Sequence, residues 1–400
     1  MNTEHRIVIL GAGYTGLLTA ATLARRTRAL NVRITLVNPS ARFTERLRMH
    51  QIAAGQELPD HRITDILTGT GVEFVQGWAT SIDPATHQVV VDDTMTLPYD
   101  ELVYALGSST DTSIVPGAAD HAWTLNDPKT AHRFAELLNV VAAQGGKVAV
   151  CGAGLTGIEA AAEIAADHPG LRVTLISNTE PGAMMGDKAR AYLHRALDRL
   201  GVTRETGQAV TKVLPDAVEL ADGTLLPADL TLWTTGVRVP PLAAQAGIDT
   251  DARGRIVVDE TLRSVSHPNI HAIGAAAAIR LPWGQLHGTC QSGMPTAAYT
   301  AAAIVRQLRG KQPKPFRFGY FHQPVSLGRR DGVIQFTRSD DTPGRFYLTG
   351  RLAAAYKESV SASPLPMFRL SRRMNPPVKL RAGRRARTQD RVALGKPEHH

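Results

Sequence analysis

Gly11, Gly13 and Gly16 follow the apolar run Ile7-Val8-Ile9-Leu10, and Gly152, Gly154 and Gly157 follow Val148-Ala149-Val150-Cys151. In both places a short β-type run leads into Gly-x-Gly-x-x-Gly and then an Ala- and Leu-rich stretch with helical spacing. That order suits a pyrophosphate. The first glycine makes the strand-to-helix turn, the second lets the backbone approach the phosphates, and the third lets helix pack on strand. The phosphate charge then meets the free N–H groups and positive dipole end of the helix. Tyr14 and Thr15, and likewise Leu155 and Thr156, open the two helices and belong to the same cradles. A single triplet can arise for packing reasons alone. Two, each behind a buried-strand pattern, predict two bound dinucleotides.

Such a cradle requires a parallel sheet beneath it. The pattern predicts a first strand over residues 6–10, a helix reaching Arg28, and a second strand over 33–37 that ends at Asn38. The residue at that strand end meets the adenosine ribose and is usually acidic; Asn38 can still hydrogen-bond a hydroxyl, without charge. The second unit repeats the scheme, with strands over 147–151 and 172–176, a helix over 158–166, and Ser177-Asn178 at the ribose position. An acid there favours NADH and an Arg favours NADPH. Neither is present, so the choice of donor stays open. Each unit closes on a strand-to-Gly turn, at Ala105-Leu106-Gly107 and at Thr234-Thr235-Gly236.

Residues 45–55 are polar and basic inside an otherwise apolar fold. Arg46 or Arg48 could neutralise a pyrophosphate, and Gln51 could reach a ring or ribityl oxygen. A solvated, charged helix face is the competing reading. Residues 72–75, 79–82 and 88–91 alternate and suggest a small antiparallel meander. Ile114-Val115-Pro116-Gly117 marks a crossing between domains. A helix over 187–200, a hairpin near Asp222-Gly223, returning strands at 256–258 and 269–273, and a helix over 295–309 complete the pattern. Short alternating strands over 316–360 predict a β-rich C-terminal element.

The chain has 400 residues, 43% hydrophobic and 20% charged, which is enough for two or three domains with substantial cores. No apolar run reaches the ~18 residues needed to span a bilayer, and the start carries no signal peptide, so cytoplasmic residence is expected. The net charge of +9 is concentrated in residues 361–400, which hold ten Lys or Arg against two acids. The body is therefore not a polyanion binder, and no nucleic-acid partner is expected. The tail reads as a mobile terminus that could touch an anionic membrane face. Two distant cysteines exclude a dithiol centre and a cysteine zinc site. Cys151 reads as a packed residue, and Cys290 either packs beside a cofactor or has a chemical role. His50, His271 and His287 have no partner at i+3 or i+4, so no metal is expected. No nucleophile elbow supports hydrolysis.

Taken in order, the two glycine triplets, Ile158-Glu159-Ala160-Ala161 and the two strand-to-Gly turns resemble the two-dinucleotide-binding-domain flavoproteins. The nearest subgroup is similar to the type II NADH dehydrogenases and apoptosis-inducing-factor-like oxidoreductases, over roughly residues 5–360. The resemblance implies an α/β fold with two Rossmann-like, glutathione-reductase-like domains and a small C-terminal α+β element. The boundaries would be 1–113 with 246–320 for FAD, 114–245 for NAD(P)H, 321–360 for the C-terminal element, and 361–400 for the tail. It also implies hydride transfer from the nicotinamide to FAD, then electron delivery to a quinone or similar small acceptor. Glu159 would meet the nicotinamide amide, although a carboxylate in a first helical turn is favoured in any case. Lys357 would lie near the flavin, unless it is a surface residue paired with Glu358.

One departure concerns the ribityl chain. Such proteins usually carry Gly-Asp where this chain has Gly274-Ala275, and Thr where it has Leu106. Losing one buried, charge-assisted hydrogen bond costs about 1.5–3 kcal/mol, roughly ten- to a hundredfold in affinity. A tailoring oxidoreductase acting on one metabolite, and a nucleotide-binding protein with weakened or lost flavin, are therefore the alternatives.

Overall fold

The computed structural model describes residues 4–374 and 383–388. Two five-stranded, all-parallel sheets organise it. The first has the order Ile270–Ala272, Glu101–Tyr104, His5–Leu10, Val32–Asn38, Glu73–Gln76. The second has the order Thr203–Thr206, Arg172–Ser177, Lys147–Cys151, Leu230–Trp233, Ala122–Trp123. In each, the strand that feeds a glycine triplet is the central one, buried on both faces. That is why its sequence is a continuous apolar run rather than an alternating one. The helices Tyr14–Arg26 and Leu155–Asp167 then return over their sheets, Ala-rich where they pack closest. The α/β architecture of two Rossmann-like units follows.

Several elements differ from the sequence pattern, each for a local reason. Glu73–Gln76 is the parallel edge strand of the first sheet, and the antiparallel meander is Ala79–Asp83, Gln88–Val91 and Met95–Pro98. An edge strand and a meander strand are both half-buried, so their alternation looks alike. The helix expected from residue 295 begins at Cys290, held by a capping box between Thr289 and Ser292, with Pro295 inside it. Proline is favoured at the first position of a helix, which set the expected start; here it lies inside the helix, where it forgoes one backbone hydrogen bond and crowds the preceding turn.

The C-terminal element is an antiparallel sheet of His322–Ser326, Gly332–Thr337 and Pro343–Thr349. Residues 350–362, read as part of a β-rich element, form the helix Gly350–Ala362, consistent with the helix-favouring Ala353-Ala354-Ala355. The tail expectation is likewise corrected for the residues described. Pro364–Ser371 is a helix, and Arg384–Arg385 pairs with Arg317–Phe318. Residues 375–382 and 389–400 lie outside the described residues.

Phe368 anchors that last helix. It is fully buried and meets Phe43 edge-to-face at 5.4 Å, and Phe43 meets Tyr14 at 5.1 Å. Phe368→Ala is expected to cost about 3–5 kcal/mol, read as a fall in the urea unfolding midpoint. A loss below ~0.5 kcal/mol would mean that the helix is not part of the core.

Candidate active site

The six glycines of the two triplets divide their work as the chemistry requires. A Cβ on Gly11 would sit 2.6 Å from the Ala105 carbonyl oxygen, and one on Gly16 would run into the Gly11 carbonyl. In the second unit, a Cβ on Gly152 would lie 2.9 Å from Thr235, and one on Gly157 would run into the Gly152 carbonyl. These four are packing glycines. Gly13 and Gly154 are different, since a Cβ there would meet nothing within 4 Å. Each is the exposed N-cap of a 13-residue helix that has no side-chain cap. Uncapped amides beneath open space are what a pyrophosphate needs, and both cradles fit one.

Around the first cradle, Asn38 Oδ1 accepts from the Ala12 amide at 2.9 Å and its Nδ2 donates to the Ser40 carbonyl at 2.8 Å. Its carboxamide is thus largely spent on shaping the turn. Tyr14 is buried, and its hydroxyl accepts from the Leu47 amide at 3.3 Å. Thr15 packs against Gly274, whose φ is +67° and whose amide donates to Thr296 Oγ1 at 3.1 Å. Ala275 lies under Gly288, where a Cβ would come within 2.7 Å of it. Gly107 has φ +67° at the adjacent turn. Arg46 donates to the Ser108 carbonyl at 2.6 Å. The glycine turn, Asn38, Gly107, Gly274 and Ala275 therefore gather at the carboxyl ends of the first sheet's parallel strands. In the second unit, Ser177 Oγ accepts from the Thr179 amide at 3.2 Å, and Gly236 has φ +77°.

The solvated-face reading of residues 45–55 does not hold. Met49–Ala53 is a helix with every residue buried, among them His50 and Gln51. Arg48 is ion-paired to Glu358 and lies 3.5 Å from Glu45. Lys357 is not a surface residue paired with Glu358 either. Its Nζ meets Glu159 Oε1 at 2.9 Å, with both side chains at least nine-tenths buried. The same Oε1 accepts from the Ser326 amide at 3.0 Å and hydroxyl at 3.2 Å, and His50 Nδ1 lies 3.9 Å from Oε2. Burial would push the Glu159 carboxyl up. Lys357 foremost, with His50 and the Ser326 amide, instead holds it below its ordinary value, so it is ionised.

Sequence reasoning missed the partners of this pair. Glu163, one helical turn beyond Glu159, accepts from Gln56 Nε2 at 2.7 Å and lies 3.7 Å from Arg329 Nε. Burial raises its carboxyl to about 7. The Glu159–Glu163 spacing was a legible signal; Ser326, Arg329, Arg330 and Arg351 come from distant segments and gave none. Gln51, Lys357 and these residues line a cleft of ≈ 590 Å³. The remaining sequence candidates are structural here. His271 is fully buried with Nε2 at 3.1 Å from Glu101. Burial raises the Cys151 thiol to about 12 and the Cys290 thiol to about 11, so neither is a ready nucleophile. Among the described residues no group of three or more His, Cys, Asp or Glu could hold a metal.

The sequence profile of the pyridine nucleotide-disulphide oxidoreductases matches residues 5–303. The chain belongs to that family. An NADH dehydrogenase-like protein of Mycobacterium tuberculosis is 30% identical over 347 residues, covering 82% of this chain and 87% of that protein. The alternative NAD(P)H-ubiquinone oxidoreductase C1 of Arabidopsis thaliana is 27% identical over 383 residues, 83% of this chain and 73% of its own. Among solved structures, the sulfide:quinone oxidoreductase of Aquifex aeolicus superposes with a TM-score of 0.80 at 20% identity, over 92% of each chain. Unlike the dithiol members that the family's description evokes, this member has no pair of neighbouring cysteines, and both of its cysteines are free.

His50 makes the site's electrostatics measurable. Burial first of all lowers its imidazole to about 4, and its Nε2 has no partner among the described residues. Between pH 6.5 and about 4 the unfolded chain therefore binds a proton that the native site refuses. Stability is lost as pH falls through that window, by about 3 kcal/mol for this group. Glu163 has the opposite sign, losing stability as pH rises from 4.5 towards 7, and is common to both proteins compared. Urea unfolding of wild type and His50→Asn at pH 4.5, 5.5 and 6.5 is expected to show the pH dependence reduced in the variant by about 2 kcal/mol over that span. Parallel curves would refute the assignment.

Proposed function

We propose that this chain is an FAD-dependent NAD(P)H oxidoreductase that delivers electrons to a quinone or a similar small acceptor. The observation that carries the reading is the doubled cradle. Gly13 and Gly154 each leave open space above an uncapped helix, as two dinucleotides in one chain require. The names of the M. tuberculosis and A. thaliana relatives support the donor and acceptor classes. FAD is assigned to the first unit, residues 1–113 with 246–320, and the nicotinamide nucleotide to residues 114–245. Residues 321–360 complete the site.

A bound flavin supplies the hydride-accepting ring, and the protein supplies placement. Gly13, Tyr14, Thr15 and Gly274 shape the flavin nucleotide's seat, with Arg46 and Gln51 available to its polar groups. Gly154, Leu155, Thr156, Ser177 and Gly236 do the same for the donor. Glu159, ionised and fixed by Ser326, offers an acceptor to a carboxamide N–H and so orients the nicotinamide. Lys357 places positive charge where electrons arrive. With Ala275 in place of a carboxylate, the ribityl chain has one fewer anchor, and binding rests on the remaining contacts.

The test is the visible spectrum of the purified protein with added FAD, recorded anaerobically before and after NADH and then NADPH. Flavin bands that bleach with one nucleotide identify the donor. Glu159→Gln is expected to slow the bleaching on the order of ten- to a hundredfold through lost orientation. If no flavin binds at high FAD, the reading falls in favour of a nucleotide-binding protein.

Peripheral contact with the inner membrane face belongs to the same proposal. No helix among the described residues is long and apolar enough to cross a membrane. Arg384, Arg385 and Arg387 are exposed on the last described segment. Arg384→Gln/Arg385→Gln/Arg387→Gln should reduce co-sedimentation with anionic vesicles while soluble turnover persists. Equal sedimentation of variant and wild type would remove the membrane contact from the reading.

A further inference from the structure

The cleft beside the Glu159–Lys357 pair is unevenly charged. Its lining includes Gln51, Arg329, Arg330, Arg351, Lys357 and Glu358. Lys357 is ion-paired to Glu159 at 2.9 Å and so is already engaged. Arg329 lies 3.7 Å from Glu163 and 3.5 Å from Glu358, and Glu358 also receives Arg48. The only carboxylate in the lining is thus fully engaged. Arg330 and Arg351 make no ion pair or side-chain hydrogen bond among the described residues, and both are exposed. They come from different elements. Arg330 sits in the turn between His322–Ser326 and Gly332–Thr337, and Arg351 in the first turn of Gly350–Ala362.

Two uncompensated guanidinium groups over one opening have a chemical consequence. A neutral acceptor makes no use of them. An oxyanion does, because a guanidinium presents a fork of donors that matches a carboxylate, sulfonate or phosphate. A volume of ≈ 590 Å³ falls within the range of small-ligand clefts. Leu352, 74% exposed next to Arg351, makes a lipid phosphate the other source of the same chemistry.

We propose that Arg330 and Arg351 form an oxyanion-recognition site at the cleft mouth, which selects a small aromatic acceptor carrying a carboxylate or sulfonate. This rests on the oxidoreductase reading for its purpose, and on the cleft alone for its binding. Rim charges act through steering and are screened by salt, which separates them from packing effects.

The experiment uses the full chain with added FAD and two probes, 1,4-naphthoquinone-2-sulfonate and uncharged 1,4-naphthoquinone. Binding is followed by calorimetry and reduction by NAD(P)H turnover. Wild type is expected to bind the sulfonate about three- to tenfold more tightly. That preference should vanish in Arg330→Ala/Arg351→Ala and at about 0.5 M salt, and survive in Arg172→Ala, which lies outside the cleft. No preference in wild type, or a preference that persists in the double variant, overturns the proposal. If the double variant loses affinity for phosphatidylglycerol vesicles and its sulfonate binding is unchanged, the oxyanion is a lipid headgroup and the small-molecule assignment falls. A calorimetric preference without bleaching of flavin by either nucleotide upholds the oxyanion site and removes the oxidoreductase reading.

Discussion

The buried ion pair between Glu159 and Lys357 is the constraint on which the rest of the site depends. It joins the second turn of the second nucleotide helix, not the first turn that the sequence suggested, to a helix more than 190 residues later in the chain. Breaking such a pair by removing one partner costs about 3–5 kcal/mol, because a charge is left buried and alone. The surroundings show how that cost is avoided. Ser326 donates two hydrogen bonds to the carboxylate, and His50 stays neutral against it rather than adding a second cation. Arg48 and Arg329 share Glu358 at the edge, with Glu45 beside the first and Glu163 beside the second. The C-terminal sheet serves this arrangement, since it carries Ser326 and Arg329 and presents Lys357 from its following helix.

The two cradles show the same economy of parts. Four glycines are required by backbone packing, and one per unit is left for the ligand. Asn38 illustrates the cost of the local geometry. Its side chain holds the glycine turn through the Ala12 amide, so a group placed to meet a ribose is mostly committed before any nucleotide arrives.

Much of this was legible from sequence, and the reasons are physical. The central strands and glycine turns are local patterns of residue type and spacing, and both survive unchanged in the structure. Edges and ends were less legible. Glu73–Gln76 alternates like a meander strand because both are half-buried, and Pro295 suggested a helix start that the Thr289 cap places earlier. The tail's charge hid a helix, because Arg369, Arg372 and Arg373 crowd the end of an element whose one large buried side chain is Phe368. The ion-pair partners were illegible in principle. Which carboxylate faces Lys357 depends on how the C-terminal sheet seats against the second unit, and no local pattern encodes that.

The first sheet has a consequence for assembly in time. Its strand Ile270–Ala272 arrives after the whole second unit, and the Phe368 helix that covers Tyr14–Arg26 arrives nearly a hundred residues later still. The second sheet, in contrast, draws every strand from a continuous stretch between Ala122 and Trp233. As a ribosome releases the chain from its N-terminus, all five strands of the second sheet emerge before the first sheet has its last one. The sheet that begins the chain is thus completed only by a strand that follows the whole of the second sheet.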